Sequence, residues 1–160
     1  MRSFFSVSVL SSLRQRLLYR SAPVATIDAA KAAPPPSPLA PVDLTDPAQV
    51  TGVMEIAARV GEILIAAGSA NTDVQAQIHL VASSYGLHYC HVSILMNTIT
   101  IHTAIGTGPD RRNLHVFRVA PSIAVDFTKL SAVDRLIRSI HSGATPPAMA
   151  EKVLDDICLL

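Results

Sequence analysis

The segment "HYCH" brings His88, Tyr89, Cys90 and His91 together within four positions. These residue types serve as metal ligands, general bases and nucleophiles. Cys90, Val92, Ile94 and Met96 alternate with His91, Ser93 and Leu95, which is the period of a strand. Successive strand side chains leave opposite faces, so Cys90 and His91 do not share one ligand set. The chain has six histidines and two cysteines but no C-x-x-C pair and no four-ligand spacing. Neither a metal nor a cofactor is expected. His91 is the best-placed base and Cys90 the nearest nucleophile for a hydrolytic step, yet no G-x-S-x-G type motif surrounds any serine or cysteine. No catalytic residue is therefore assigned.

A second polar cluster, Asn71, Thr72 and Asp73, lies where a helix is expected to begin. The N–H groups of a helix start receive an anion such as a carboxylate. Asp73 repels one, and all three residue types are ordinary helix caps. With His91 they are the candidate substrate-binding residues. "GTGPD", Gly106–Asp110, is a loop of turn formers, neither a P-loop nor a dinucleotide fingerprint.

These residues are held by alternating helical and strand patterns. Asp46, Pro47 and Gln49 predict a helix start of capping-box type. Val50, Val53, Met54, Ala57, Val60, Gly61, Leu64 and Ala67 follow at helical spacing as far as Gly68, with Ile56 and Ile63 widening the apolar sector. A second helix is expected from Asn71-Thr72, with Gln75 closing a cap on Thr72, to a stop at Gly86. A strand through Cys90–Met96 turns at Asn97-Thr98 into a return strand that keeps Ile99, Ile101 and Thr103 on one side. After a loop through Asn113, a third strand spans Leu114–Val119. Leu130, Val133, Leu136, Ile137 and Ile140 mark a third helix ending at Gly143, and Thr145-Pro146-Pro147 caps a fourth. The fold class is α+β, in the order ααβββαα, with helices on one face of a small antiparallel sheet.

Composition narrows the function. At 160 residues with 49% hydrophobic side chains, the chain holds one domain and a surplus. A net charge of +1 and no basic stripe interleaved with aromatics exclude nucleic acid as a partner. The apolar run Val53–Val74 carries Glu55, Arg59 and Glu62, too many charges for a spanning helix. Val53–Ala67 reads as a core helix. Residues 1–28, rich in Ser and Arg, form a basic leader of transit-peptide or membrane-surface composition, and residues 29–45, with five prolines from Pro34 to Pro41, form an extended linker. The folded domain occupies 46–160.

"VMEIAARVGEILIAAGSANTDVQAQI", "SSYGLHYCHVSILMNTITI" and "KLSAVDRLIRSIHSGATPPAMAEKVLDDI" together resemble the amino-terminal domain of the threonine/serine exporter family. The tether "AAKAAPPPSPLAPVDLTDPAQV" resembles its actinobacterial members. The resemblance runs from about Ala29 to Asp156. It implies a bacterial inner-membrane exporter of threonine and serine in which this domain lies on the cytoplasmic side and precedes the membrane helices. The family pattern continues into a membrane helix where this chain reads "ICLL". The expectation is a truncated product, not transport-competent alone, that docks on exporter transmembrane helices or on its own copies, with Ala57, Gly61 and Ala67 allowing close contact. Two alternatives stand beside it: a hydrolase-like domain acting on small peptides or amino-acid derivatives, and a non-functional remnant of a broken exporter gene.

Overall fold

The first described helix, α1 (Pro47–Ala66), starts where the residue types predict. The Asp46 carboxylate accepts from the Ala48 N–H at 2.9 Å, and Pro47 fills the first position, where no donor is missed. Gln49 departs from the capping box. Its amide donates to the Asp46 side chain at 3.2 Å and accepts from the Asp43 N–H at 2.9 Å, because Asp46 N–H is already spent on the Asp43 carbonyl. At the other end Gly68, at φ 85°, lets the Ser69 N–H return to the Leu64 carbonyl and closes the helix with a Schellman bond. The computed structural model describes residues 42–122 and 124–160. The expected leader and all but the end of the proline-rich linker lie outside them.

Helix α2 (Asn71–Ser84) begins two residues earlier than a Thr72 cap requires. Ala70 is the cap residue and no side chain bonds the free N–H groups. Gln75, expected to close that cap, instead donates to the Val92 carbonyl at 3.2 Å and ties α2 to the first strand.

The sheet is an antiparallel meander of β1 (His91–Leu95), β2 (Thr98–Ile105) and β3 (Arg112–Val119) in that order. Pairing of Leu95 with Thr98 puts the hairpin turn at Met96-Asn97, one residue before the expected position. Met96 takes φ 57°, a left-handed conformation unusual for a side chain of this size, and is 81% exposed. The Asn97 side chain donates to the Ala120 carbonyl at 2.9 Å while its own carbonyl accepts from Ala120 N–H, so the turn clamps the end of β3. The loop after β2 is shorter than expected. A 3-10 turn at Gly108–Asp110 reverses the chain, and Arg112 already pairs with Ile105.

Val92, Ile99, Ile101, Thr103 and Val116 turn one sheet face to the core, as the alternation predicts. Among the described elements, α1 and α2 are the helices that lie against that face. Helices α3 (Phe127–His141) and α4 (Pro147–Cys158) form a further layer, α3 packing on α1 and α2, and α4 on α1 and α3. This explains the width of the apolar sector of α1: sheet, α2, α3 and α4 all contact it. Ala57 and Gly61, expected to serve outside contacts, are consumed inside, since both are buried in the domain. The fourth helix is likewise capped differently from expectation. Pro146 precedes it without a side-chain bond, and the Thr145 hydroxyl pairs with Ser139. Among the described residues no helix lies on the opposite sheet face. Leu95, Phe117 and Val119 stand there 74%, 64% and 52% exposed.

Candidate functional site

The sequence candidates do not converge. Asn71, Thr72 and Asp73 are exposed at the start of α2, and Asp73 borders a cleft towards α3 that also holds Ser69, Gln77 and Asp134. The two carboxylates of that cleft give an incoming anion no welcome. His91 stands on the outer sheet face instead, directly opposite His102, which is itself opposite His115. Even with this row, no group of three His, Cys, Asp or Glu among the described residues is placed to hold a metal ion.

Cys90 has a partner that the sequence did not single out. His79 projects from α2 one turn after Gln75, and its Nδ1 lies 3.7 Å from the Cys90 sulfur. Gln75 and His79 are an i, i+4 pair on the helix side that meets β1, which is the signal that was available. Burial pushes the Cys90 thiol up to about 11. Burial, with a smaller contribution from His91, pushes the His79 imidazole down. Both shifts favour the neutral thiol and neutral ring, the opposite of the thiolate–imidazolium pair of a cysteine nucleophile.

A concentration of charge lies elsewhere, around a cavity of about 440 Å³. Helix α1 supplies Arg59, Glu62, Ile63, Ala66 and Ala67 to its wall, β3 supplies Arg118, and the segment before α3 supplies Pro121, Ala124 and Asp126. Lys129 of α3 and Cys158 of α4 complete it. An inward strand position takes Arg118 over α1, where Nε bonds Glu55 at 3.0 Å and a terminal nitrogen bonds Glu62 at 2.9 Å. Arg59 bonds Asp155 of α4 at 2.7 Å and approaches the Cys158 sulfur at 3.9 Å. Burial opposes the charge on both guanidiniums, and the bonds to their acidic partners and to Cys158 outweigh it, so both pKa values rise above the ordinary arginine value. Asp126 spends one oxygen on the Thr128 and Lys129 N–H groups at the start of α3. The Ala124 N–H holds the loop to the Ala66 carbonyl at the end of α1 at 2.9 Å.

None of these cavity residues was a candidate from sequence. Glu55, Arg59 and Glu62 were legible only as interruptions of an apolar run. Their spacing puts them along one side of α1, and what they face comes from β3 and α4, far along the chain.

Among the described residues no helix is long and apolar enough to cross a membrane. No solved structure matches the chain. A curated Corynebacterium glutamicum protein, "Threonine/serine exporter", is 57% identical over 134 residues, which is 84% of this chain and 27% of that protein. A Mycobacterium tuberculosis protein, "Probable threonine/serine exporter", is 29% identical over 105 residues, 66% of this chain and 20% of the relative. The chain thus spans about a quarter or less of the length of these relatives. Residues 55–158 match the model of the family described as "Putative threonine/serine exporter", and that span contains both strand faces and every charged group of the cavity. The chain belongs to the threonine/serine exporter family.

Proposed function

We propose that this domain works as a regulatory or coupling part of a threonine and serine exporter, on the cytoplasmic side of the membrane, and that the substrate path is formed by other segments. The 57% identity to the Corynebacterium exporter over most of this chain carries the reading. Two free thiols, Cys90 and Cys158, fit a reducing compartment. The occupant of the outer sheet face is the membrane-spanning part of the exporter, since the Corynebacterium relative devotes nearly three-quarters of its length to segments beyond this match. Leu95, Phe117 and Val119 are the apolar contacts for it. A hydrolytic role gains nothing from Cys90 and His79, which are held neutral.

The test is threonine export from cells lacking their own exporter. The chain fused to the membrane segments of the Corynebacterium relative restores export, and the chain alone does not. Phe117→Ser in the fusion lowers export while leaving thermal unfolding within about 0.5 kcal/mol of the parent, because the side chain is exposed. A correctly inserted fusion that exports nothing, where the relative's own domain works, removes the exporter role. Unchanged export by Phe117→Ser together with a dimer in solution assigns the face to self-association and overturns the docking.

A further inference from the structure

We infer that the cavity between α1, β3 and the ends of α3 and α4 binds a free α-amino acid as its zwitterion, separately from any transport path. The inference rests on the exporter reading only in taking threonine as the first probe.

A ligand with one anionic and one cationic end fits the charges present. Arg118 spends its Nε and one terminal nitrogen on Glu55 and Glu62, and Arg59 spends one terminal nitrogen on Asp155. A guanidinium carries five N–H donors in a fixed fork. Each arginine therefore retains donors after its ion pairs are made, in the planar geometry that suits a carboxylate. Lys129 lines the cavity and makes none of the ion pairs found among the described residues. For a ligand ammonium the same wall offers Glu62, whose other oxygen is unspent, and the second oxygen of Asp126.

The arrangement disfavours other small anions. A phosphate would bring two negative charges against Glu62 and Asp126, and its compact shape would leave the apolar wall unfilled. That wall combines Ala66, Ala67 and Ala124 with Ile63 and Pro121, so it offers apolar contact to a ligand side chain. The volume of about 440 Å³ lies in the lower part of the range of small-molecule sites, roughly 300–1,000 Å³.

Occupancy is felt beyond the site. Arg59 is at once a wall of the cavity and the ion-pair partner of α4, so a carboxylate on its unspent donors shares one guanidinium charge with Asp155. The site thereby links ligand binding to the seating of α4 on α1.

The experiment is calorimetric titration of the full chain with L-threonine, L-threonine amide, N-acetyl-L-threonine and inorganic phosphate. Saturable binding of L-threonine is expected, with each blocked analogue and phosphate weaker by tenfold or more. Lys129→Met is expected to weaken threonine by about tenfold, and Ala66→Leu, which fills the cavity from a half-exposed helix position, to abolish binding, both with unfolding curves like the parent. No binding of threonine overturns the inference. So does equal binding of N-acetyl-threonine or phosphate, which makes the site one for anions, or undiminished binding by Ala66→Leu. Threonine binding without export by the fusion leaves this site standing and removes the exporter role, whereas export without binding removes the site alone.

Discussion

A Cβ placed on Gly61 would lie 2.6 Å from Cδ1 of Ile78, so α1 and α2 meet through a residue that has no side chain to give way. The same Cβ would stand 3.0 Å from Cδ1 of Ile99 on β2. Ile78 and Ile99 are wholly buried, which leaves their terminal carbons no free space to enter. Gly61→Ala sets a helix-propensity gain of about 1 kcal/mol against overpacking of about 1–3 kcal/mol. The clash wins. A net loss of up to about 2 kcal/mol is expected in denaturant unfolding, and Ile78→Val in the same chain recovers part of it by removing the nearest carbon. A Gly61→Ala protein as stable as the parent would show that the two helices are less tightly opposed than this.

The Cys90 thiol gives the fold a slope at alkaline pH. Its folded value of about 11 lies above the ordinary 9.0, so the unfolded chain ionises first as pH rises. Below pH 9 both states are protonated and nothing changes. Between pH 9 and 11 the unfolded state has lost its proton and the folded state has not, and stability falls by an amount on the order of 2 kcal/mol. Cys90→Ala flattens that part of the stability profile. In alkylation at pH 8, the exposed Cys158 is expected to react well before Cys90. Equal rates would contradict the burial of Cys90.

Tyr85 fastens the end of α2 to the turn before α4. Its hydroxyl donates to the Thr145 carbonyl at 2.8 Å, and burial, with Glu151 nearby, raises the phenol pKa above its ordinary value. Tyr85→Phe removes the donor and leaves that carbonyl short of a partner, at about 1 kcal/mol in thermal unfolding. A variant that unfolds with the parent would mean that water serves Thr145 equally well.

How much was legible follows from the range of each interaction. The order of elements came from local patterns: Asp46-Pro47 opening α1, Gly68 and Gly86 closing α1 and α2, and the alternation of Val92 with Ile94 and of Ile99 with Ile101. Errors of one or two residues arose where neighbours compete. Asn71, Thr72 and Asp73 can each cap a helix, and the backbone at Ala70 settled the matter without any of them. Asn97 is the better turn residue by type, yet register with β2 placed Met96 ahead of it in the turn.

The charged cavity was hidden for a different reason. Arg118 reaches Glu55 and Glu62 across 63 and 56 positions of chain, and Arg59 reaches Asp155 across 96. Each charge, taken in its own segment, is only a polar residue on an apolar element. An arginine in step with Val116 on the inward face of β3 was the one local sign of a partner opposite.

The left-handed Met96 has a consequence for the order in which the chain assembles. Closing the β1–β2 hairpin forces an unbranched, non-glycine residue into a conformation that costs about 1 kcal/mol or more, with its side chain left in solvent. A hairpin with that penalty does not nucleate by itself. The pairing of α1 with α2, joined by a short link, comes first, and the strands condense onto that surface afterwards. Met96→Gly is then expected to slow unfolding and leave the folding rate nearly unchanged, a division that stopped-flow measurements read directly. Faster folding of that variant would place the hairpin at the start. Under partial destabilisation the meander is accordingly the first part to come away, leaving a helical remnant whose amides exchange last.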